Sequence, residues 1–346
     1  MNLTFLQSLT ISFEAVGKLF LVAVLGFVLT RRGILKGDVM SSLTRLTIDV
    51  IVPCSLAVSM MRRFDLDLVR DYWPTLVHPA ALILVGVPLA LLWFRFVKTK
   101  RPSQGPAAAA LAGIPNSFYV PFPVALAVCS ALKIPEQEKL LVAALVGVGV
   151  LSINPLQWTL GTVLVTANSP GHGQMAWWKY LKYALNGPVV GIIAGAVMAM
   201  IPATRDAANH EEDSIMILRM LIGAAEAIGA AMPPMAMIIL GSLIAQCELK
   251  QALDWRLLVP VFLLRFGFLP GLTWYLLAHG WIPAQGWLPF VLMLGAASPP
   301  ATNLALAARR YNGDWETVSS ILFITNTSAL LLLPLWIAVG LSLIKI

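Results

Sequence analysis

Two stretches of this sequence set prolines and polar side chains inside long apolar runs. They are GIPNSFYVPFPVAL, residues 113–126, and GAASPPATNLAL, residues 295–306. Proline lacks a backbone donor, and its ring clashes with the preceding helical turn. Pro121 and Pro123 should therefore break the first run, and Pro299 and Pro300 the second. At membrane depth such broken backbone survives only if it is buried in protein or lines a wet cavity. A helix restarting after the break presents unpaired N–H groups and the positive end of its dipole, which attract an anion without a full positive charge. The spacing predicts restarts just before Val124 and just before Ala301. Asn116 and Asn303 can donate to a carboxylate or accept from a hydroxyl, and Ser117, Tyr119 and Thr302 can add contacts. The competing reading is that these groups only satisfy the backbone freed at the breaks. The chemistry implied is reversible capture of a small carboxylate, since two interrupted spans at matching places point to a carrier's binding site.

Three charged residues lie within apolar runs: Asp49, Glu226 and Arg265. Intramembrane charges are costly and are functional hypotheses by default. Asp49 lies four residues before Pro53 and Glu226 seven before Pro233, so each shares a helix face with its proline. Either carboxylate is a candidate for linking anion transport to protons; a satisfied polar contact is the alternative. Arg265 could hold a substrate carboxylate, pair with a carbonyl freed near Pro270, or snorkel.

The elements that must position these residues are membrane helices. Of the 346 residues, 58% are hydrophobic and only 12% charged, against roughly a quarter charged in soluble domains. The mean hydropathy is +0.81. Apolar runs of about 20 residues recur, the length that spans the bilayer core. The net charge of +7 could suggest nucleic acid. The basic residues instead sit in short loops between apolar runs, where membrane topology explains them and no nucleic-acid partner is expected. Cys54, Cys129 and Cys247 are widely spaced and give no metal or disulfide pattern. No HExxH, CxxC or phosphate-binding glycine loop occurs, so neither an enzyme nor a cofactor or metal site is expected, and transport would be secondary or passive. The first apolar run lacks a basic leader and is expected to be a retained span.

Ten spans can be drawn, the fourth and ninth carrying the broken stretches, so the expected fold is all-α and polytopic. Residues 1–167 would form a first five-helix repeat and residues 168–346 a second. An odd number of spans per repeat forces the second to enter from the opposite side, giving an inverted repeat. The bias of Lys and Arg in the loops favours both termini outside. Trp73, Trp177, Trp178, Trp255, Trp281 and Trp287 sit at span ends as expected interface anchors.

The ordered set of motifs resembles the auxin efflux carrier family, which includes bacterial malonate- and malate-type carriers and plant PIN-FORMED exporters. The pieces that carry it are LGFVLTRRGIL after the first span, Asn116-Ser117 followed by Pro123, and Pro233 followed by MAMIILGSLIA. The last is Ser298-Pro299-Pro300-Ala301-Thr302-Asn303 running on to Ala308-Arg309-Arg310-Tyr311-Asn312-Gly313-Asp314. The fourth span departs from the family in carrying Phe118 and Pro121 where glycine is usual, which bears on the substrate. The resemblance implies a scaffold of spans 1, 2, 6 and 7 and a mobile part of spans 3–5 and 8–10. It also implies proline crossovers in spans 4 and 9, elevator-like alternating access, a homodimer through the scaffold, and carriage of small organic anions across the cell membrane. A sodium-coupled carrier of the bile acid symporter type shares the ten-span plan; its sodium sites use acids near the crossovers, and neither break here contains one.

Overall fold

The computed structural model describes residues 4–168, 187–209, 211, 214–246 and 254–344. Cys247, Trp177, Trp178, several loop lysines and the start of the sixth span lie outside them. The described residues are helical throughout, with a single isolated antiparallel bridge and no strand.

Helix α1, Phe5–Arg31, starts from a capping box in which Thr4 and Gln7 satisfy each other's backbone. α2 runs Gly37–Arg63 and contains a π turn at Thr47–Ile51, just before Pro53. After the short α3 (Leu66–Asp71), α4 covers Pro74–Phe96. The fourth span is two helices, α5 (Gln104–Gly113) and α6 (Pro121–Ala131). α7 is Glu136–Thr166, with a π turn at Gln157–Gly161. α8 (Gly187–Ala199) and α9 (Pro202–Ala208) meet at a 109° bend. α10 (Met216–Gly229) and α11 (Met232–Ala245) together make one 30-residue span. α12 is Trp255–Ala278, with a π turn at Leu263–Phe268 before Pro270. The ninth span is again two helices, α13 (Leu288–Ala297) and α14 (Asn303–Arg310), and α15 (Trp315–Ser342) completes the order.

Seven helices among the described residues are long and apolar enough to cross a bilayer. α5 and α13 are not: ten residues rise about 15 Å, half of a ~30 Å hydrocarbon core. Each therefore ends near mid-depth. α7 is the most enclosed long helix, 67% of its apolar window being buried. It packs against α2, α4, α6 and α13.

Packing between helices rests on small residues, because lipid offers apolar side chains no reason to prefer protein. α1 and α11 make the most extensive contact, and α2 with α8 the next. A Cβ at Gly241 would fall on the carbonyl oxygen of Ala23, and one at Gly26 on that of Ile238. Each glycine thus admits the other helix's backbone. α15 packs against both α1 and α13. At one end of the bundle Arg101 pairs with Asp314 at 3.1 Å and Glu316 at 3.0 Å, while Lys100 reaches Asp254 at 3.5 Å. These contacts place the starts of α5, α12 and α15 on one side.

Of the expected anchors, Trp281, Trp255 and Trp73 are exposed, but Trp287 is buried and donates its indole N–H to Glu138 at 2.7 Å. Trp287 is therefore a packed residue and not an interface anchor.

Candidate functional site

The two broken stretches cross. Pro115 and Pro300 stand opposite each other in the antiparallel bridge. Neither proline can donate, so the bonds come from the residues that follow them. Asn116 N–H donates to Pro299 O at 2.7 Å, and Ala301 N–H donates to Ile114 O at 3.1 Å. The exchange is reciprocal and satisfies backbone that lipid could not. Gly113 lets α5 end hard against α4, since a Cβ there would lie 2.6 Å from the Val87 backbone nitrogen.

The restart points differ from expectation. α6 begins at Pro121, with Pro121 and Pro123 in its first turn, where a missing N–H costs nothing. α14 begins at Asn303, not before Ala301; Pro299 and Pro300 belong to the extended crossing because they pair across it.

Asn116 and Asn303 are not equivalent. Asn116 Oδ1 accepts from the backbone N–H groups of Phe118 at 3.1 Å and Val120 at 3.4 Å, and its Nδ2 donates to Thr302 Oγ1 at 3.3 Å. Its side chain is committed to holding the two breaks together. Asn303 makes no side-chain hydrogen bond with the described residues, is only partly buried, and lines a cavity.

That cavity, of about 50 Å³, lies in front of the crossing. Ser117, Phe118 and Tyr119 from the first break face Asn154 and Trp158 on α7, Asn303 on α14, and Ile48, Val52 and Pro188 on α2 and α8. Ser117 Oγ donates to Asn154 Oδ1 at 3.2 Å, and the buried Tyr119 hydroxyl has no hydrogen-bond partner among the described residues. An unpaired buried hydroxyl is costly, so a ligand or water that bonded it would gain by that amount. A second cavity of about 40 Å³ lies behind the crossing, sharing Ser117 and lined also by Thr75 and His78. His78 is buried against Thr273, its Nε2 lying 3.2 Å from the Thr273 oxygen. Thr273 O–H donates to Leu269 O, so its oxygen accepts from His78.

Asn154 and Trp158 were missed as site residues. An asparagine at membrane depth directly before Pro155 was the available signal. Ile48, Val52 and Pro188 carried none, because apolar residues on other spans become walls only through packing.

Arg265 is fully buried, which rules out snorkelling. It donates from Nη2 to Ala296 O at 2.8 Å and from Nη1 to Gly113 O at 3.3 Å, and it lines neither cavity. The carbonyl freed by Pro270 belongs to Phe266 and is taken by the Trp336 indole N–H at 2.7 Å. Arg265 thus pairs with the ends of α5 and α13, not with the Pro270 break.

Asp49 lies in the π turn of α2, exposed, between the cavity-lining Ile48 and Val52. Glu226 is gripped at both oxygens by Arg62, at 2.8 and 2.7 Å, and Arg62 Nε also donates to Ala208 O. The pair ties α2 to α9 and α10 and lines neither cavity. The Glu226 side chain is 42% exposed, which screens the pair. Glu226→Gln is therefore expected to cost about 1–2 kcal/mol, less than for a fully buried pair, because Arg62 loses its counter-charge. A double-mutant cycle with Arg62→Met, read by thermal unfolding, checks this; additive losses would show that the two residues do not interact.

A family description, membrane transport protein, matches residues 11–337. Protein PIN-LIKES 5 of Arabidopsis thaliana is 25% identical over 170 residues, which covers 48% of this chain and 42% of that relative. The chain thus matches less than half the length of this relative.

Proposed function

The chain belongs to the membrane transport protein family of auxin efflux carriers, and on that premise we propose that it is a secondary carrier of small organic anions, carboxylates of the malonate, malate or auxin-like kind. Members of this family are transporters and not enzymes, and this is a multi-pass membrane protein. The observation that carries the proposal is the reciprocal hydrogen bonding of two interrupted helices at mid-depth, with Asn303 opening onto a cavity. α14 starts at Asn303 beside that cavity, and the positive end of its dipole favours negative charge.

The carrier works by elevator-type alternating access. The half-spans count with the long helices as ten spans in two inverted five-helix repeats. α1, α2, α8, α10 and α11 form the scaffold, through which a homodimer forms, and the crossing moves with α4, α7, α12 and α15. The tight glycine contacts within the first group support this division. So does the size of the front cavity, which holds a few waters and no organic acid, so that α2 and α8 must separate from the crossing to admit one. Both termini lie outside the plasma or inner membrane. Within the site Asn303 takes the carboxylate, with Ser117, Tyr119 and Thr302 around it, while Asn116 and the prolines shape the crossing.

Counterflow of labelled malonate and of a labelled aryl acetate in proteoliposomes tests the proposal. Exchange without a sodium gradient is the expected result; strict sodium dependence would favour the bile acid symporter type, and binding without exchange would make the protein a sensor. Transport is also proton-linked, with Asp49 as the carrier of the proton. Asp49→Asn is expected to abolish the response to an imposed pH gradient while substrate exchange persists. An unchanged response would remove Asp49 from that role.

A further inference from the structure

The end of α4 and the start of α12 carry the same kind of sequence. α4 closes on Trp93-Phe94-Arg95-Phe96, with Val97 and Lys98 directly after it, and α12 opens on Trp255-Arg256. A tryptophan beside a basic residue at a span end suits the boundary between acyl chains and headgroups. The two ends meet around one open groove of about 320 Å³. It shares no residue with either cavity at the crossing. Pro260 lines it as a buried residue, and Trp93, Trp255 and Val259 line it as exposed ones. Lys98 and Arg256 bring two cations to it, and among the described residues no carboxylate lines it.

Neither cation is taken up by the protein. The Lys98 ammonium and the Arg256 guanidinium make no ion pair and no hydrogen bond with the described residues. The nearby acid, Asp254, is already engaged. It accepts the Arg256 backbone N–H at 3.2 Å and pairs with Lys100 at 3.5 Å. The Arg256 guanidinium stands over the Trp255 ring, 5.9 Å from its centroid, which orients it and leaves its N–H edge free. Two like charges on one groove repel, and an anion between them removes that cost. The groove holds about ten times the ~30 Å³ share of a water molecule. That is room for a phosphate and its glycerol, with acyl chains leaving along the apolar walls. A free phosphate would gain nothing from those walls. On the orientation read from loop charge, the groove opens on the side where basic pockets between membrane helices hold anionic headgroups.

We propose that the groove between the end of α4 and the start of α12 binds an anionic phospholipid. Its phosphate lies between Lys98 and Arg256, and its chains lie against Trp93, Trp255 and Val259. The site is separate from the crossing and does not depend on the carrier reading.

The test uses the full chain in nanodiscs of phosphatidylcholine. These carry a minor fraction of a phosphatidylglycerol probe with a diazirine close to its headgroup. The control probe is a phosphatidylcholine with the diazirine at the same place. After illumination, crosslinked peptides are identified by mass spectrometry. The phosphatidylglycerol probe is expected to label peptides around 93–98 and 255–260 about tenfold more than the control does. Lys98→Gln combined with Arg256→Gln is expected to abolish that preference, whereas Lys98→Arg combined with Arg256→Lys keeps it. Both side chains are exposed, so the fold does not rest on them, and labelling of the other peptides in the same sample is the internal control. Unlabelled phosphatidylglycerol should compete with the probe, and inorganic phosphate should not. Equal labelling of these peptides by both probes would overturn the proposal, and so would an unchanged preference in the double Gln variant. Full competition by inorganic phosphate would overturn the lipid as occupant.

Discussion

Asn303→Ala is expected to reduce carboxylate transport by about 10–100-fold, the loss of one charge-assisted hydrogen bond, with no change in thermal unfolding. Asn116→Ala is expected to behave in the opposite way. The Asn116 oxygen accepts two backbone N–H groups, from Phe118 and Val120, and its nitrogen bonds Thr302. Removing it leaves two donors in a buried break, at about 1–3 kcal/mol each. The unfolding midpoint should fall, and transport should fail because the crossing loosens. Asn303 stabilises nothing visible, so its removal leaves the fold intact and the cavity without its amide. Unfolding scans and counterflow on the same two purified variants separate these outcomes. If both variants lose transport with unchanged midpoints, the two asparagines act alike and the asymmetry is wrong.

Gly241→Val should be the most damaging single change to the scaffold. The α1–α11 contact has no space for a side chain, because a Cβ at Gly241 would overlap the Ala23 carbonyl. Backbone cannot move aside as a flexible side chain can, so the helices must separate along their whole contact. A loss of more than about 4 kcal/mol is expected, read as failure to purify as a single species or as a steep fall in unfolding temperature. Gly223→Val provides the control, because a Cβ there meets no heavy atom within 4 Å. Equal tolerance of the two substitutions would show that the approach of α1 to α11 is not as close as described.

The breaks themselves were legible. Pro115, Pro121, Pro299 and Pro300 mark them because they cluster with Asn116, Ser117, Ser298 and Asn303, whereas single prolines such as Pro79, Pro88 and Pro334 sit inside continuous helices. The start of α14 was misplaced by two residues because Pro299 and Pro300 are held extended by the opposite strand of backbone, and the sequence of one break does not reveal its partner's register. Glu226 could be seen as an intramembrane acid, but its counter-charge is Arg62, far away along the chain. Arg265 likewise stood out as a deep cation while its partners are carbonyls, which every residue has.

Sequence alone indicated the membrane as solvent, the helical class and the two stretches where helices are interrupted, because hydropathy, helix length and proline chemistry act locally. Only the tertiary structure decided which polar groups are already satisfied. Asn116 is closed by its own break and Asn303 stays open, and Arg265 is claimed by two helix ends rather than by a ligand. The reason is that a hydrogen bond depends on which atoms meet in space, and partners such as Thr302 for Asn116 and Gly113 for Arg265 come from the opposite half of the sequence.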